Sequence, residues 1–328
     1  TRKVALQGKS SKETRVREII AAETVTIAPD DTVEDCMKLN LYLRTAWRLL
    51  FLLDEFECNN ADELYENLLE IPWEDYIDSK GYVSIDSFVQ NDTINDNRFA
   101  NVRVKDAIAD RIKNKTGERP DAGPDNTKTC IFLFWRGKEA HIFFDTSGET
   151  IAAHGYRKIP FKAPLQESLA AAILYAAHWH GQGHFINPMC GSGTLAIEAA
   201  LMAINKAPGL NRHNFGFMHI KGFSPDKWTE MREEAKGKIN KSYNFKIVCT
   251  DKDPMAVKAT GINARIAGVA NMLDIQQHYF EHTPMPKGEG FVMMNPPYGM
   301  RMGEMEKLQT MYPAIGDFFK KNNILSSS

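Results

Sequence analysis

The chain has 328 residues, a formal net charge of −2, and 25% charged and 43% apolar residues. That balance belongs to a globular protein of two or three domains and excludes a global polycation, so any nucleic-acid surface must be a local patch. The five cysteines, Cys36, Cys58, Cys130, Cys190 and Cys249, stand singly, which argues against a zinc site or disulfide framework and fits a reducing cytoplasm. No apolar signal core opens the sequence, and no run reaches the length of a membrane span.

Residues 1–30 are polar and basic, through Lys3, Lys9, Lys12, Arg15 and Arg17, with a short strand signal at Val25-Thr26-Ile27. Val33, Met37, Leu41 and the Trp47-to-Leu53 segment predict a helix over 32–53, capped by Asp31 or Thr32. Ala61 to Glu70 reads as a second helix, ended by Ile71-Pro72, with Trp73 and Tyr76 as core aromatics. Tyr82 to Asp86 alternates like a half-buried strand. The stretch from Asn97 to Lys105 leads into a helix over 106–112. Arg98, Arg103, Lys105, Arg111 and Lys113 concentrate positive charge there, either for phosphate contact or as a solvated helix face. Two apolar runs, 130–135 and 140–145, flank Arg136-Gly137-Lys138-Glu139 and predict a hairpin. Residues 1–150 thus form an α+β unit without a catalytic constellation.

Gly155 to Pro164 carries the glycine and prolines of a linker, 151–164. After it the pattern becomes α/β. Helices are expected at 165–179, 194–205, from Pro225, and at 254–267, the last between Asp253 as N-cap and Gly268. Strands are expected at 183–187, 245–250, 272–276 and 291–294. Residues 206–222 read as a loop and 304–320 as a final helix. Strands alternating with helices mean a parallel, doubly wound sheet over 165–328.

Three motifs follow consecutive strands. Asn187-Pro188-Met189-Cys190-Gly191-Ser192-Gly193-Thr194 is a glycine turn opening a helix, where backbone can approach a ligand closely. It lacks the Gly-Lys-Ser/Thr ending of a phosphate loop. Asp251-Lys252-Asp253-Pro254 places Asp251 where an acid can accept the two hydroxyls of an adenosine ribose, while Asp253 caps the next helix. Asn295-Pro296-Pro297-Tyr298 follows the fourth strand. The prolines stiffen the turn, so the Asn295 amide and the Pro296 carbonyl form a rigid acceptor pair for an exocyclic amine. Tyr298 offers a face for a base to stack on; the bland alternative is a turn with a core tyrosine.

This order of motifs resembles the class I S-adenosylmethionine-dependent methyltransferases that alkylate exocyclic base amines. The segments 162–172, 187–200, 265–268 and 295–299 are similar to the bacterial 23S ribosomal RNA guanine-N2 methyltransferases. Residues 39–115, with Leu43-Arg44-Thr45-Ala46, Pro72 to Tyr76 and Val104 to Ile108, resemble that family's ferredoxin-like-plus-THUMP RNA-binding region. The resemblance implies a Rossmann-like methyltransferase domain behind an α+β RNA-binding region, an S-adenosylmethionine cofactor and a ribosomal RNA partner, with no metal and no membrane. It implies that Gly191, Ser192 and Gly193 line the cofactor's methionine part, flanked by Asn187, Pro188, Cys190 and Thr194. Gln166 and Glu167 would close over that part, Asp251 with Lys252 would hold the ribose, and Asn295, Pro296 and Tyr298 would carry catalysis.

Three departures stand out. Asn187 occupies a position where the family has Asp. Tyr279, with Glu281 nearby, stands where an acid usually lies near the adenine. The fold has seven strands in that family and four are found here, so the chain reads as truncated after the fourth strand. Three competing readings differ in class: a DNA amino-methyltransferase, an RNA-binding fragment without activity, and a nicotinamide-dependent dehydrogenase suggested by Gly-x-Gly-x-x-Ala alone. The oligomeric state is left open.

Overall fold

The computed structural model describes residues 24–27, 32–94, 96–161, 164–297 and 305–322. The basic start, Asp31, Lys162, Ala163, Tyr298 and the terminal serines lie outside the described residues. Two units emerge. One comprises the described residues up to Ile151 together with Arg212–Glu234; the other comprises Ala152–Asn211 and the described residues from Ala235 onward.

In the first unit, β1 (Thr24–Ile27) is followed by α1 (Val33–Tyr42), β2 (Arg48–Glu57), α2 (Ala61–Glu70), the single turn α3 (Trp73–Tyr76), β3 (Tyr82–Gln90), α4 (Asn97–Thr116), β4 (Asp121–Ala122), β5 (Thr129–Arg136) and β6 (Glu139–Asp145). The six strands form one mixed sheet in the order β1-β2-β6-β5-β3-β4. Its helix-covered face packs Leu64, Leu68, Trp73, Val104, Ile108 and Ile112 against Ile131, Leu133, Trp135, Ile142 and Phe144. Trp73 is fully buried and its indole N–H donates to the Leu68 carbonyl at 2.8 Å, so the ring packs without an orphaned donor.

Two expectations are corrected here. The Trp47-to-Leu53 segment is strand β2, not the second half of a helix, because the chain leaves helical geometry at Leu43 with φ −65° and ψ 128°. Phe51 and Leu53 join the helix-covered core, while Leu50 and Leu52 pack with Phe132, Phe134 and Phe143 on the opposite face. A strand apolar on both faces shows no period of two, and so cannot be told from a buried helix by pattern. The charged stretch at 97–112 is likewise one helix, α4, capped by the Asp96 carboxylate on the Arg98 N–H at 2.8 Å and ended by Gly117 at φ 80°.

The segment Arg212–Glu234 was expected inside the α/β region, yet it packs with the first unit. The buried Arg212 guanidinium donates to the carbonyls of Thr150, at 2.7 Å, and Glu149, at 2.8 Å. The Phe217 N–H donates to Thr146 O at 2.9 Å, and a Cβ on Gly216 would lie 2.1 Å from the Asp145 carbonyl, so only glycine fits. Phe215, Phe217 and Trp228 form an aromatic cluster with ring centroids 5.0–5.5 Å apart.

Asp145 ends β6 in this packing, 3.6 Å from Arg48. Burial outweighs that guanidinium and pushes its carboxyl from 3.8 up to about 6. The native state therefore keeps a proton that the unfolded chain has lost. This contribution to stability is fully present below pH 3.8 and disappears as pH rises through about 6, at most about 3 kcal/mol. Asp145→Asn is expected to remove that decline; urea unfolding of both proteins at pH 4 and pH 7 gives the double difference, and a value of zero would show that Asp145 ionises normally.

In the second unit, α5 (Glu167–Ala176), β7 (His184–Pro188) and α6 (Thr194–Ala203) come first; α7 (Pro225–Gly237) bridges the unit boundary in sequence; then follow β8 (Ile247–Asp251), α8 (Pro254–Ala267), β9 (Leu273–Gln277), β10 (Gly290–Val292) and α9 (Met305–Lys321). The sheet is wholly parallel in the order β10-β7-β8-β9. Phe185, Ile247, Val248 and Cys249 are fully buried, as strands covered on both faces require. Because β7 leads to β8 on one side and has β10 on the other, the strand order reverses between β7 and β10. That reversal opens the crevice in which open α/β sheets bind ligands.

Candidate active site

The glycine turn and Asn295 both leave the sheet at this reversal. Pro188 is the last residue of β7, and the chain then turns through Met189 (φ 53°), Gly191 (φ 58°) and Gly193 (φ 83°) into α6. A Cβ on Gly193 would sit 2.6 Å from Thr260 Cγ2, whereas nothing lies within 4 Å of one on Gly191. The turn is thus pressed against α8 at one glycine and open at the other.

Side chains from several elements hold it. The Gly191 N–H donates to Asp251 Oδ2 at 3.0 Å, and Asp251 Oδ1 accepts the Asp253 N–H at 3.0 Å. Each carboxylate oxygen retains a further acceptor site. Thr260 Oγ1 donates to the Gly191 carbonyl at 2.9 Å, and Asn263 Nδ2 to the Ser192 carbonyl at 3.1 Å. The same Asn263 amide grips the backbone of Lys158 and Ile159. Arg157 reaches Glu167 at 3.1 Å and Thr194 Oγ1 at 3.3 Å, so it fastens the start of α5 to the start of α6. Burial raises the Glu167 carboxyl, and the Arg157 charge opposes that shift. Behind them, His154 Nδ1 meets Glu198 Oε1 at 2.7 Å in a fully enclosed pair.

Asn187 is 1% exposed. Its Nδ2 donates to the Met293 carbonyl at 2.7 Å, while its Oδ1 is buried without a partner. An orphaned buried acceptor costs roughly 1–3 kcal/mol unless a donor arrives. Burial also pushes the Cys190 thiol up to about 12, so it stays protonated and packs rather than attacks. Gln166 is the half-buried residue before α5, and Ser192 and Thr194 are buried. Lys252 is exposed, with its carbonyl accepting from Gln277 Nε2 at 3.1 Å. Asn295 and Pro296 are half-buried on the segment that continues from β10, beside the end of β7. Tyr279 is 62% exposed just beyond β9, and the neighbouring His278 N–H donates to the Asp251 carbonyl at 3.1 Å. The turn after β7, the end of β8 with Asp251 and the segment after β10 with Asn295 therefore share one edge of the sheet.

Sequence reasoning missed Arg157, Thr260 and Asn263. An asparagine inside a helix is a weak signal, since its side chain competes with the helix backbone and needs a partner elsewhere.

The structure divides the five basic residues of α4. Arg111 makes a bidentate pair with Glu74, 2.9 Å at its shortest, and donates to the Leu69 carbonyl. That guanidinium holds the Glu74 carboxyl below its usual range. Arg103 pairs with Asp62 at 2.7 Å and lies 4.5 Å over the Tyr65 ring. Lys105 meets Asp106 at 2.8 Å. Arg98 and Lys113 are exposed. Among the described residues, no group of three His, Cys, Asp or Glu side chains could hold a metal, and no helix is long and apolar enough to cross a membrane.

Against known families, residues 154–326 match the RMKL-like methyltransferase domain and residues 58–145 match the THUMP domain. Proteins named ribosomal RNA large subunit methyltransferase K/L are similar over most of this chain. The one from Magnetococcus marinus is 36% identical over 84% of this chain and 40% of its own length. The one from Marinomonas sp. is 32% identical over 95% of this chain and 44% of its own length. The chain thus spans less than half the length of these relatives. The crystal structure of SMU.472 complexed with SAH matches with a TM-score of 0.79 and 27% identity, covering 88% of this chain and 77% of that one. A predicted N6-adenine-specific DNA methylase from Listeria monocytogenes matches with a TM-score of 0.81 and 29% identity, covering 89% and 76%.

Proposed function

Because this chain belongs to the RMKL-like methyltransferase family and carries a THUMP domain ahead of that region, we propose that it methylates an exocyclic amine of a ribosomal RNA base, guanine N2 in 23S ribosomal RNA, in the cytoplasm. The observation that carries the reading is the convergence of the glycine turn, Asp251 and Asn295 on one sheet edge at the strand-order reversal. The THUMP match and the names of the relatives favour RNA over DNA.

S-adenosylmethionine is the methyl donor in this proposal, and when bound it supplies an electrophilic methyl on a sulfonium. The residues fit it. Gly191 leaves open space at the turn, Asp251 has acceptor capacity for ribose hydroxyls, and Asn187 Oδ1 is an acceptor in want of a donor. Asn295 and the Pro296 carbonyl accept from the target amine and keep its lone pair free for attack. A base amine is a poor nucleophile, so fixed acceptors and close positioning supply most of the acceleration. Tyr298 is assigned the stacking of the base, which is turned out of its helix to reach the edge. On this reading Gln166 and Glu167 flank the methionine part, and Ser192 and Thr194 bring N–H groups to it, while Gly193, whose N–H donates to the Cys190 carbonyl at 2.8 Å, lets the turn pass close beside it.

The test is incubation of unmethylated ribosomal RNA with isotopically labelled S-adenosylmethionine, followed by nucleoside mass spectrometry. Label in N2-methylguanosine supports the proposal; label only in an adenine nucleoside, or in DNA offered in parallel, overturns the assigned substrate.

Exposed Arg98 and Lys113 are the phosphate contacts we assign on α4, with Arg103, Lys105 and Arg111 shaping the surface. Arg98→Ala with Lys113→Ala is expected to flatten the slope of log Kd against log salt by about 0.7–0.9 for each phosphate lost. Arg111→Ala is expected to leave that slope alone and to lower the unfolding midpoint, since it strands Glu74. Anisotropy titrations at four salt concentrations decide; an unchanged slope in the double variant removes α4 from the interface.

A further inference from the structure

Residues 152–159 thread across three helices of the second unit. The Ala152 carbonyl accepts the Ser168 N–H of α5 at 3.2 Å, His154 meets Glu198 of α6, and Tyr156 is fully buried in the core. The N–H groups of Lys158 and Ile159 donate to Asn263 of α8, each at 3.1 Å. Arg157 is therefore held from both sides along the chain, and its side chain is mostly buried. Its terminal nitrogen Nη2 faces three acceptors: the Leu165 carbonyl, the Glu167 carboxylate at 3.1 Å and the Thr194 hydroxyl at 3.3 Å. The first two stand on either side of Gln166 in the chain. The third belongs to the first residue of α6, where the glycine turn ends. The Gln166 amide makes no capping hydrogen bond to α5.

We propose that Arg157 is a positioning residue for the methyl donor: one guanidinium nitrogen ties the chain on both sides of Gln166 to the first residue of α6, and so fixes where Gln166 stands relative to the glycine turn. The inference rests on the methyltransferase reading of the site, and it has Arg157 act through Gln166 rather than by touching the cofactor. Lysine in its place keeps the charge but ends one bond short of Nη2, so it does not reach all three acceptors from the same backbone position. An interaction that supports the bound cofactor equally in the ground state and the transition state raises KM when it is lost and leaves kcat alone.

The test uses the full chain with saturating RNA, at a temperature where circular dichroism shows each variant folded. Arg157→Lys is expected to raise KM for S-adenosylmethionine about tenfold and to weaken SAH binding by the same factor, with kcat within about threefold of wild type. Gln166→Ala is expected to do the same. In the Gln166→Ala background, Arg157→Lys is expected to add less than about twofold, because nothing is left for it to position. Full addition of the two effects in the double variant overturns the proposal. So does an unchanged KM in Arg157→Lys, even beside a lowered unfolding midpoint, since the contacts of Arg157 then serve stability alone. Should Arg157→Lys not fold, Glu167→Gln enters the same cycle, keeping the volume and an acceptor while removing the ion pair. A rise in KM of about threefold that vanishes beside Gln166→Ala is then expected, and a rise that persists there, or none at all, overturns the proposal. Failure of the wild-type protein to bind SAH and transfer methyl would instead overturn the functional reading, and is seen before any variant is made.

Discussion

Asn295→Ala is expected to lower methyl transfer by 10²–10³-fold while SAH affinity stays within about threefold, the range seen when one preorganised polar group is removed from a transition-state site. The asymmetry follows from the origin of the groups. The proposed cofactor contacts come from the ends of β7 and β8, where the turn is held by Asp251, Thr260 and Asn263. Asn295 comes from the far side of the strand reversal, on the segment after β10. Asn295→Asp retains an acceptor of the same size and is expected to recover part of the lost rate. Single-turnover kinetics with excess protein separates chemistry from RNA binding. Undiminished single-turnover rate in the alanine variant would strip Asn295 of its assigned role.

Gly193→Ala is expected to disrupt the glycine turn of the second unit severely. Gly193 sits at φ 83°, in the left-handed region, which costs a residue with a Cβ about 1–2 kcal/mol. The added Cβ would also meet Thr260 Cγ2 at 2.6 Å and Oγ1 at 3.0 Å. Thr260 is fully buried and is the residue that holds the Gly191 carbonyl, so it cannot swing aside without releasing the turn. Overpacking adds about 1–3 kcal/mol. A loss near 2–5 kcal/mol in urea unfolding is therefore expected, with SAH binding weakened at least about tenfold. Thr260→Ser removes the nearer atom and keeps the hydroxyl, so it should restore part of both losses in the double variant. A Gly193→Ala protein with wild-type stability and SAH affinity would mean that the turn is not pinned against α8 as described.

Legibility in the sequence varied with how local the determinants were. Helix α8 could be read end to end because Asp253 caps it, Pro254 opens it and Gly268 at φ 75° closes it, all within its own residues. The β5–β6 hairpin was equally local, through Gly137 between two apolar runs. Strand β2 was misread because it is apolar on both faces, which erases the period that distinguishes strand from helix. In the site, chain order alone aligned the glycine turn, Asp251 and Asn295. It could not reveal that Arg157 joins α5 to α6 or that Asn263 binds residues more than 70 positions earlier. The basic stretch on α4 told the same lesson in reverse: charge density was visible, but not that the acids neutralising Arg103 and Arg111 lie 41 and 37 residues away.

The packing of Arg212–Glu234 with the first unit sets an order of events during translation. The Glu149 and Thr150 carbonyls beyond β6 wait for Arg212, and the space beside Asp145 waits for Gly216. Ribosomes add about 5–20 residues per second, so Glu234 emerges roughly 4–16 s after Ile151. For that interval the nascent chain holds a sheet whose last partners are still being made, while β7 and α6 of the other unit are already out of the tunnel. A fragment cut after Ile151 would stay in that unfinished condition permanently.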